Sequence, residues 1–273
     1  MAAVKLERLK EIIGSCEKAV VAFSGGVDST LLLSVTREVL GGNMMAVTVV
    51  SSFMPDHERK EAHEIANLVG ARHEIVSIDE NDIEGFTDNP VDRCYICKKF
   101  LFSKILEIAG REGIECVMDA SNADDTGDFR PGMKAIKELE IRSPLLEAGL
   151  TKAEIRELSR ERRLPSWGKP AMACLATRVP YGEKITKKKL RQIDEAEEYL
   201  RSLGYGNCRV RHHGKLARIE VSPGRIDQLM KPGQRRQVTQ HLKGLGFRYI
   251  TVDLEGYRMG SLNEVICGDE DDG

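Results

Sequence analysis

Seven residues near the start of the chain, Ser24-Gly25-Gly26-Val27-Asp28-Ser29-Thr30, are of types that hold phosphate. Glycine permits positive φ and close backbone approach to a ligand. Asp28, Ser29 and Thr30 are of types that cap a helix. Free amides at a turn and at a helix N-terminus form a site for phosphate oxygens. A carboxylate at Asp28 can engage a phosphate-bound Mg2+. The pattern is not a Walker A loop, because no Gly-Lys-Ser/Thr follows at the required spacing, and Gly-x-Gly-x-x-Gly is absent.

A second group is built from thiols. Arg93-Cys94-Tyr95-Ile96-Cys97-Lys98-Lys99 sets two cysteines one turn apart at a predicted helix start. The helix N-terminus and Arg93, Lys98 and Lys99 favour thiolates there. A redox dithiol, a zinc site and a [4Fe-4S] cluster all stay open, as does plain packing of two small residues. Cys174 lies in a proline-bounded segment, Pro170 to Gly182, beside Lys169 and Arg178. It reads as a nucleophile, a ligand or a small core residue.

The elements around these groups follow from apolar patterning. Lys5 to Gly14 reads as an amphipathic helix. Ala19 to Phe23, Ala46 to Ser51, His73 to Ile78 and Glu115 to Ala120 read as buried strands. Helices are predicted at Leu31 to Leu40, Pro55 to Val69 and Arg93 to Glu112. That alternation indicates βαβ units in an α/β fold with a parallel sheet. Ligands then bind beyond the carboxyl ends of the strands, where the glycine loop sits. Asn122 to Pro131 is a polar turn at the same edge. There Arg130 suits a phosphate or carboxylate contact, or a structural ion pair.

The rest of the chain has another rhythm. A helix at Thr186 to Leu203, strands at Cys208 to Arg211, Leu216 to Val221 and Tyr249 to Leu254, and helices at Pro223 to Met230 and Gln234 to Leu245 suggest a small α+β domain. The domains expected are 1–165 for nucleotide, 166–185 as a connector carrying Cys174, 186–267 as the small domain and 268–273 as an acidic, disordered tail.

The chain has 273 residues, a formal charge of −2, 31% charged residues and seven cysteines. The near-neutral balance argues against a broad grip on nucleic acid. No run reaches transmembrane length and no signal peptide opens the chain, so a cytoplasmic location is the expectation. The odd cysteine count suggests a reducing compartment with metal-binding or catalytic thiols. Cys16, Cys116 and Cys208 are expected to pack as small buried residues.

Ser24-Gly25-Gly26-x-Asp28-Ser29 resembles the PP-loop of ATP pyrophosphatases, which cleave ATP between its α and β phosphates. Together with Arg93-Cys94-Tyr95-x-Cys97-Lys98-Lys99, Arg130-Pro131-Gly132, Cys174-Leu-Ala-Thr-Arg178-x-Pro180-Tyr181-Gly182 and Gly246-Phe247-Arg248-Tyr249, it makes the chain similar to the LarE family. The resemblance implies an ATP-dependent sulfur transferase of nickel-pincer nucleotide biosynthesis. It implies adenylation of a carboxylate of pyridinium-3,5-biscarboxylic acid mononucleotide, then conversion to a thiocarboxylate. One kind of member sacrifices the sulfur of the cysteine matching Cys174. The other holds a [4Fe-4S] cluster on three cysteines, and Cys94, Cys97 and Cys174 place this chain with it.

The resemblance also assigns roles. Ser24, Gly25, Gly26, Asp28, Ser29 and Thr30 hold ATP. Glu197, Arg209, Arg211 and Glu220 match positions near the substrate phosphate and metal ions. Arg209 and Arg211 alternate along a strand and so share a face; a solvated charged face is the plainer reading. Asp227 is a weaker candidate for the same metal, and His212 and His213 read as ordinary polar residues. The implied partners are a nucleotide-like substrate, sulfide or another sulfur donor, and further copies of the chain, as a hexamer. A PP-loop tRNA thiolase and an NAD-synthetase-like amide ligase are the alternatives; a nucleotide-binding regulator without turnover is a remoter one.

Overall fold

The computed structural model describes residues 2–127, 132–169, 174–258 and 261. Arg130 and its Asp128–Pro131 turn, Cys267 and the 268–273 tail lie outside them. The chain divides into two compact units, Met1–Phe86 with Val91–Met172, and Thr87–Pro90 with Ala173–Gly273.

The first unit is a parallel α/β layer. Strand β1 (Ala19–Ala22) pairs with β2 (Met44–Val50) and with β4 (Cys116–Met118), and β2 pairs with β3 (Arg72–Ser77), all parallel. The β1 and β2 sequences are continuous apolar runs, as strands covered on both faces require. The edge strand β3 instead alternates and exposes Arg72, which suits a strand that must not pair further. The order β3-β2-β1-β4 means the chain winds outward from β1 and then crosses back. The point where winding reverses lies between β1 and β4, and the glycine loop leaves β1 there.

Helices α1 (Ala2–Gly14), α2 (Val27–Leu40), α3 (Asp56–Val69) and α4 (Arg93–Arg111) flank the sheet, followed by short α5 (Gly132–Glu138), α6 (Pro144–Glu147) and α7 (Lys152–Glu161). Leu31, Leu32 and Leu33 of α2 are fully buried. Each contributes about 1.5–3 kcal/mol. Helix α2 begins at Val27, earlier than patterning suggests. Its N-cap is Gly26, with no side-chain cap bond. Asp28, Ser29 and Thr30 therefore lie inside the first turn rather than capping it, which leaves that turn's amides open.

The second unit carries its own sheet, in the order β5-β6-β7. Strands β5 (Cys208–His213) and β6 (Leu216–Val221) form an antiparallel hairpin, turning through Gly214 at φ 61°. Strand β7 (Tyr249–Val252) joins β6 in parallel after a crossover through α9 (Ile226–Met230) and α10 (Pro232–Gly244). Helix α8 (Lys187–Ser202) packs on β5, with Leu200, Val210, Ile219, Leu242 and Phe247 at the centre. Asn89 joins 87–90 to this unit. Its buried Nδ2 donates to the carbonyls of Val179, Pro180 and Glu183.

Two of the seven cysteines behave differently from expectation. Cys16 follows α1 and Cys116 opens β4, and they form a disulfide with Cα atoms 6.2 Å apart. The register explains it, since Ala19 pairs with Cys116 and Cys16 lies just upstream. They are half-buried partners, not separate packing residues. Cys208 does pack as expected, at 1% exposure, and burial pushes its thiol up to about 12.

His73 on β3 sits behind the glycine loop. The Thr48 hydroxyl donates to the Phe23 carbonyl and contacts His73 Nε2 at 2.8 Å. With the hydroxyl proton committed, Nε2 must donate and Nδ1 carries the lone pair. Nδ1 is buried without a partner, so a second proton there would go unsatisfied. Burial, then His63, pushes the imidazole down to about 4.

Two outcomes follow. Cys16→Ser lowers stability by about 2–4 kcal/mol, because the closed loop spans 100 residues. Denaturant melts with and without a phosphine reductant check it, and the variant loses the reductant sensitivity of the native chain. A depressed histidine pKa means the folded state binds fewer protons than the unfolded one. His73 therefore costs stability as pH falls from about 6.5 toward 4. Melting temperature in that window falls less steeply in His73→Gln.

Candidate functional site

The phosphate-type loop is held from below. Gly25 has φ 75°, and a Cβ there would lie 3.1 Å from Cα and Cβ of Ala62 on α3. Both the conformation and the close approach demand glycine. Gly26 is at φ −75°, so only one of the two glycines uses the left-handed region. Ser24 and Ser29 brace the turn, with their hydroxyls 3.1 Å apart and Ser29 Oγ donating to the Gly26 carbonyl. The first intrahelical bond runs from Thr30 N to Gly26 O. The amides before it have no acceptor within the helix. A rigid, open arc of donors results, at the positive end of α2.

Asp28 points into a second layer that patterning does not reveal. Asn122, just past β4, donates from Nδ2 to Asp28 Oδ1 at 3.3 Å. Lys152 pairs with Asp28 Oδ2. Asn122 is 4% exposed. Its amide orientation is set by Asp124 N–H, which donates to Asn122 Oδ1 at 3.0 Å. Lys152 is the first residue of α7, whose N-cap Thr151 forms a capping box with Glu154. Its backbone N–H donates to Asp124 Oδ2 at 2.9 Å. Lysine at the start of a helix opposes the dipole. A cation placed inside a Thr-x-x-Glu capping box was the available signal.

The cysteine helix is braced on its basic side. Cys94 is exposed and Cys97 half-buried at the start of α4, and neither is in a disulfide. Lys98 reaches Asp119, which is 4% exposed and accepts from Ser121 Oγ and Ser143 Oγ, each at 2.5 Å. Lys99 contacts Glu138 at 3.1 Å and the Tyr95 hydroxyl at 2.9 Å. Lys98 and Lys99 therefore share their charge with carboxylates rather than leaving it wholly to the thiols. Lys169 likewise pairs with Glu58 and Glu61 of the same unit. Cys174, in the second unit, is likewise in no disulfide. Arg178 donates to the Cys174 carbonyl at 3.0 Å. Among the described residues no three metal-binding side chains gather.

The second unit buries more arginine than carboxylate. Arg178 grips Glu197 with Nε–Oε1 2.8 Å and Nη2–Oε2 3.0 Å. Arg211 grips Glu220 with 2.9 and 2.7 Å, and Arg218 adds a third bond at 3.2 Å. Burial, the largest influence on Glu197, opposes its ionisation. Arg178, Arg209 and the Val210 N–H together hold its carboxyl below the usual range. Arg209 is 8% exposed. It donates to the Cys208 carbonyl and lies over the Tyr257 ring at 4.8 Å. No described carboxylate forms an ion pair with it. Burial first, then Arg178, pushes its guanidinium down. Such a cation suits an anionic ligand. Asp227 stands exposed at the start of α9, apart from the buried Glu197 and Glu220. His212 and His213 are both pushed down by burial.

The NAD synthase family model matches residues 6–93. An uncharacterised protein of Synechocystis sp. is 44% identical over 262 residues, covering 96% of this chain and 98% of that one. The pyridinium-3,5-bisthiocarboxylic acid mononucleotide synthase of Lactiplantibacillus plantarum is 37% identical over 265 residues, covering 97% and 95%. An argininosuccinate synthase of Natronomonas pharaonis is 27% identical over 164 residues, covering 55% and 40%.

The buried pair gives a direct check of the second unit. Glu197→Gln strands Arg178 beside Arg209 and lowers unfolding free energy by about 3–5 kcal/mol, read by urea denaturation.

Proposed function

The chain belongs to the LarE family, and on that premise we propose that it activates a carboxylate of a pyridinium mononucleotide with ATP and replaces carboxyl oxygen by sulfur. One observation carries the reading. The 37% identity to the bisthiocarboxylic acid synthase runs over 97% of the chain, whereas the NAD synthase match stops at residue 93. The shorter match accounts for the nucleotide half alone. The longer one takes in the second unit.

In the first step a carboxylate oxygen attacks the α-phosphorus of ATP. The bond to the bridging oxygen of the β-phosphate breaks, and pyrophosphate leaves with the electron pair. Charge grows on the departing phosphates, where the open amides after Gly26 and the hydroxyls of Ser24, Ser29 and Thr30 receive it. Mg2+, when bound, neutralises part of that charge, and Asp28 is the residue that would hold it. A sulfur nucleophile then adds to the acyl carbon, and AMP departs with the acyl–oxygen electron pair. Arg209, with Arg211 beside it, holds the substrate phosphate, and Arg130 contacts a phosphate or carboxylate. Glu197 and Glu220 join a metal there only by exchanging their arginine partners.

The residues that would hold a sulfur-carrying cluster are Cys94, Cys97 and Cys174. None of the three is in a disulfide, and three thiolates suit iron. A [4Fe-4S] cluster, if held by them, would supply the sulfur-delivering chemistry. By the same family likeness, the nucleotide domain spans 1–165, the connector 166–185 and the substrate domain 186–267. The working form is a cytoplasmic homo-oligomer, a hexamer, fed by sulfide or another sulfur donor.

Two variants separate the halves. With ATP, Mg2+ and the biscarboxylic mononucleotide, Asp28→Asn loses pyrophosphate release by roughly a hundredfold to a thousandfold and keeps its iron. Cys94→Ser releases pyrophosphate but binds less iron and forms no thiocarboxylate by mass spectrometry. A native chain that takes up no iron on anaerobic reconstitution overturns the cluster. One that releases no pyrophosphate with that substrate overturns the adenylation.

A further inference from the structure

Asp28 is the only carboxylate inside the phosphate loop, and both of its oxygens already have partners within the fold. Its Oδ2 is taken by the Lys152 ammonium and its Oδ1 by the Asn122 amide. The amide cannot turn its oxygen toward Asp28 without losing the Asp124 N–H bond to Asn122 Oδ1. The Asn122 backbone is tied in turn, its N–H donating to Asp125 Oδ2 at 2.9 Å. One donor on Asp28 is therefore fixed by the fold. The other sits at the end of a flexible four-carbon stem.

We infer that Lys152 is a displaceable counterion that keeps Asp28 closed to free divalent cations and opens it only when a polyphosphate arrives. An ammonium on a carboxylate leaves no net negative charge to attract a metal ion. A bare cation would have to strand Lys152 beside itself, which is a like-charge contact. A metal–nucleotide complex removes that cost, because its phosphates accept the ammonium while the metal takes the vacated carboxylate oxygen. The exchange conserves charge at both places. Lys152 is anchored to follow it, with its Nζ side chain 31% exposed and its backbone held by Asp124. Asp124 and Asp125 add negative charge around the same turn. Without the lysine, that charge would draw cations to an empty loop. Metal thus enters with nucleotide, never ahead of it.

The inference rests on the reading of the loop as an ATP site, and its test uses no carboxylate substrate or sulfur donor. The probe is Mn2+, followed by electron paramagnetic resonance of the free ion, on the full-length protein with and without α,β-methylene ATP. The native chain retains Mn2+ only with the nucleotide. Lys152→Met and Lys152→Gln bind Mn2+ without nucleotide at least tenfold more tightly than the native chain. Lys152→Arg behaves as native, and the Asp28→Asn, Lys152→Met double variant returns to the native level. Equal Mn2+ binding by native, Lys152→Met and Lys152→Gln proteins overturns the counterion role. So does native Mn2+ binding that is indifferent to nucleotide. If calorimetry shows no binding of the nucleotide itself, the ATP reading of the loop falls, and the counterion role with it. Failure of carboxylate adenylation alone leaves the Mn2+ pattern standing.

Discussion

The amides that open α2 cannot be satisfied inside their own helix, and much of the first unit keeps them both open and rigid. An N-cap side chain would close one of them. Gly26 supplies none. A larger residue at 25 would push α3 away, since Ala62 lies against the Gly25 backbone. Beneath the loop, Thr48 ties Phe23 to β2 and His73 ties Thr48 to β3. That chain of bonds needs a proton on Nε2, and burial disfavours a second one on the partnerless Nδ1. Stability that capping would have added is given up so that an anion can complete the turn.

The second unit solves a related problem with the opposite sign. Buried arginines are tolerated when carboxylates or π-faces meet them. Arg178 and Arg211 have Glu197 and Glu220, while Arg209 has a carbonyl and the Tyr257 ring. Arg209 lies directly across the ladder from Glu220, yet Glu220 is spent on Arg211 and Arg218. The arrangement leaves one desolvated cation in want of an anion. An anionic ligand there gains a partner that has already lost most of its water.

Much of this was legible in the sequence because it rests on local rules. The continuous apolar runs of β1 and β2 and the glycine turn between β1 and α2 are each determined by a few neighbouring residues. Three features escaped. The short helix Gly132–Glu138 follows a proline and has too few residues for a clear period. The Cys16–Cys116 pair depends on β4 returning beside β1, a strand order that patterning does not encode. Lys152 and Asn122 reach Asp28 from 124 and 94 residues away, and only the reversal of winding between β1 and β4 brings them there. Arg209 and Arg211 sharing a face was readable from strand alternation. Which of them would be left without a carboxylate was not, because that depends on the register against Glu220.

The cysteines show how the fold sorts one chemistry into several roles. A thiol serves as a ligand or nucleophile in proportion to its thiolate character and access. Cys208 has neither, since it is 1% exposed with its thiol pushed up to about 12. Cys16 and Cys116 are consumed by each other at the amino edge of the sheet. The loop that binds phosphate leaves from the carboxyl edge, so that disulfide stands at the far end of β1 and β4 from the loop. Cys94 and Cys97 open α4, and Cys174 precedes the turn held by Arg178. Cys94, Cys97 and Cys174, which sequence patterning picked out by their flanking residues, stand outside the disulfide.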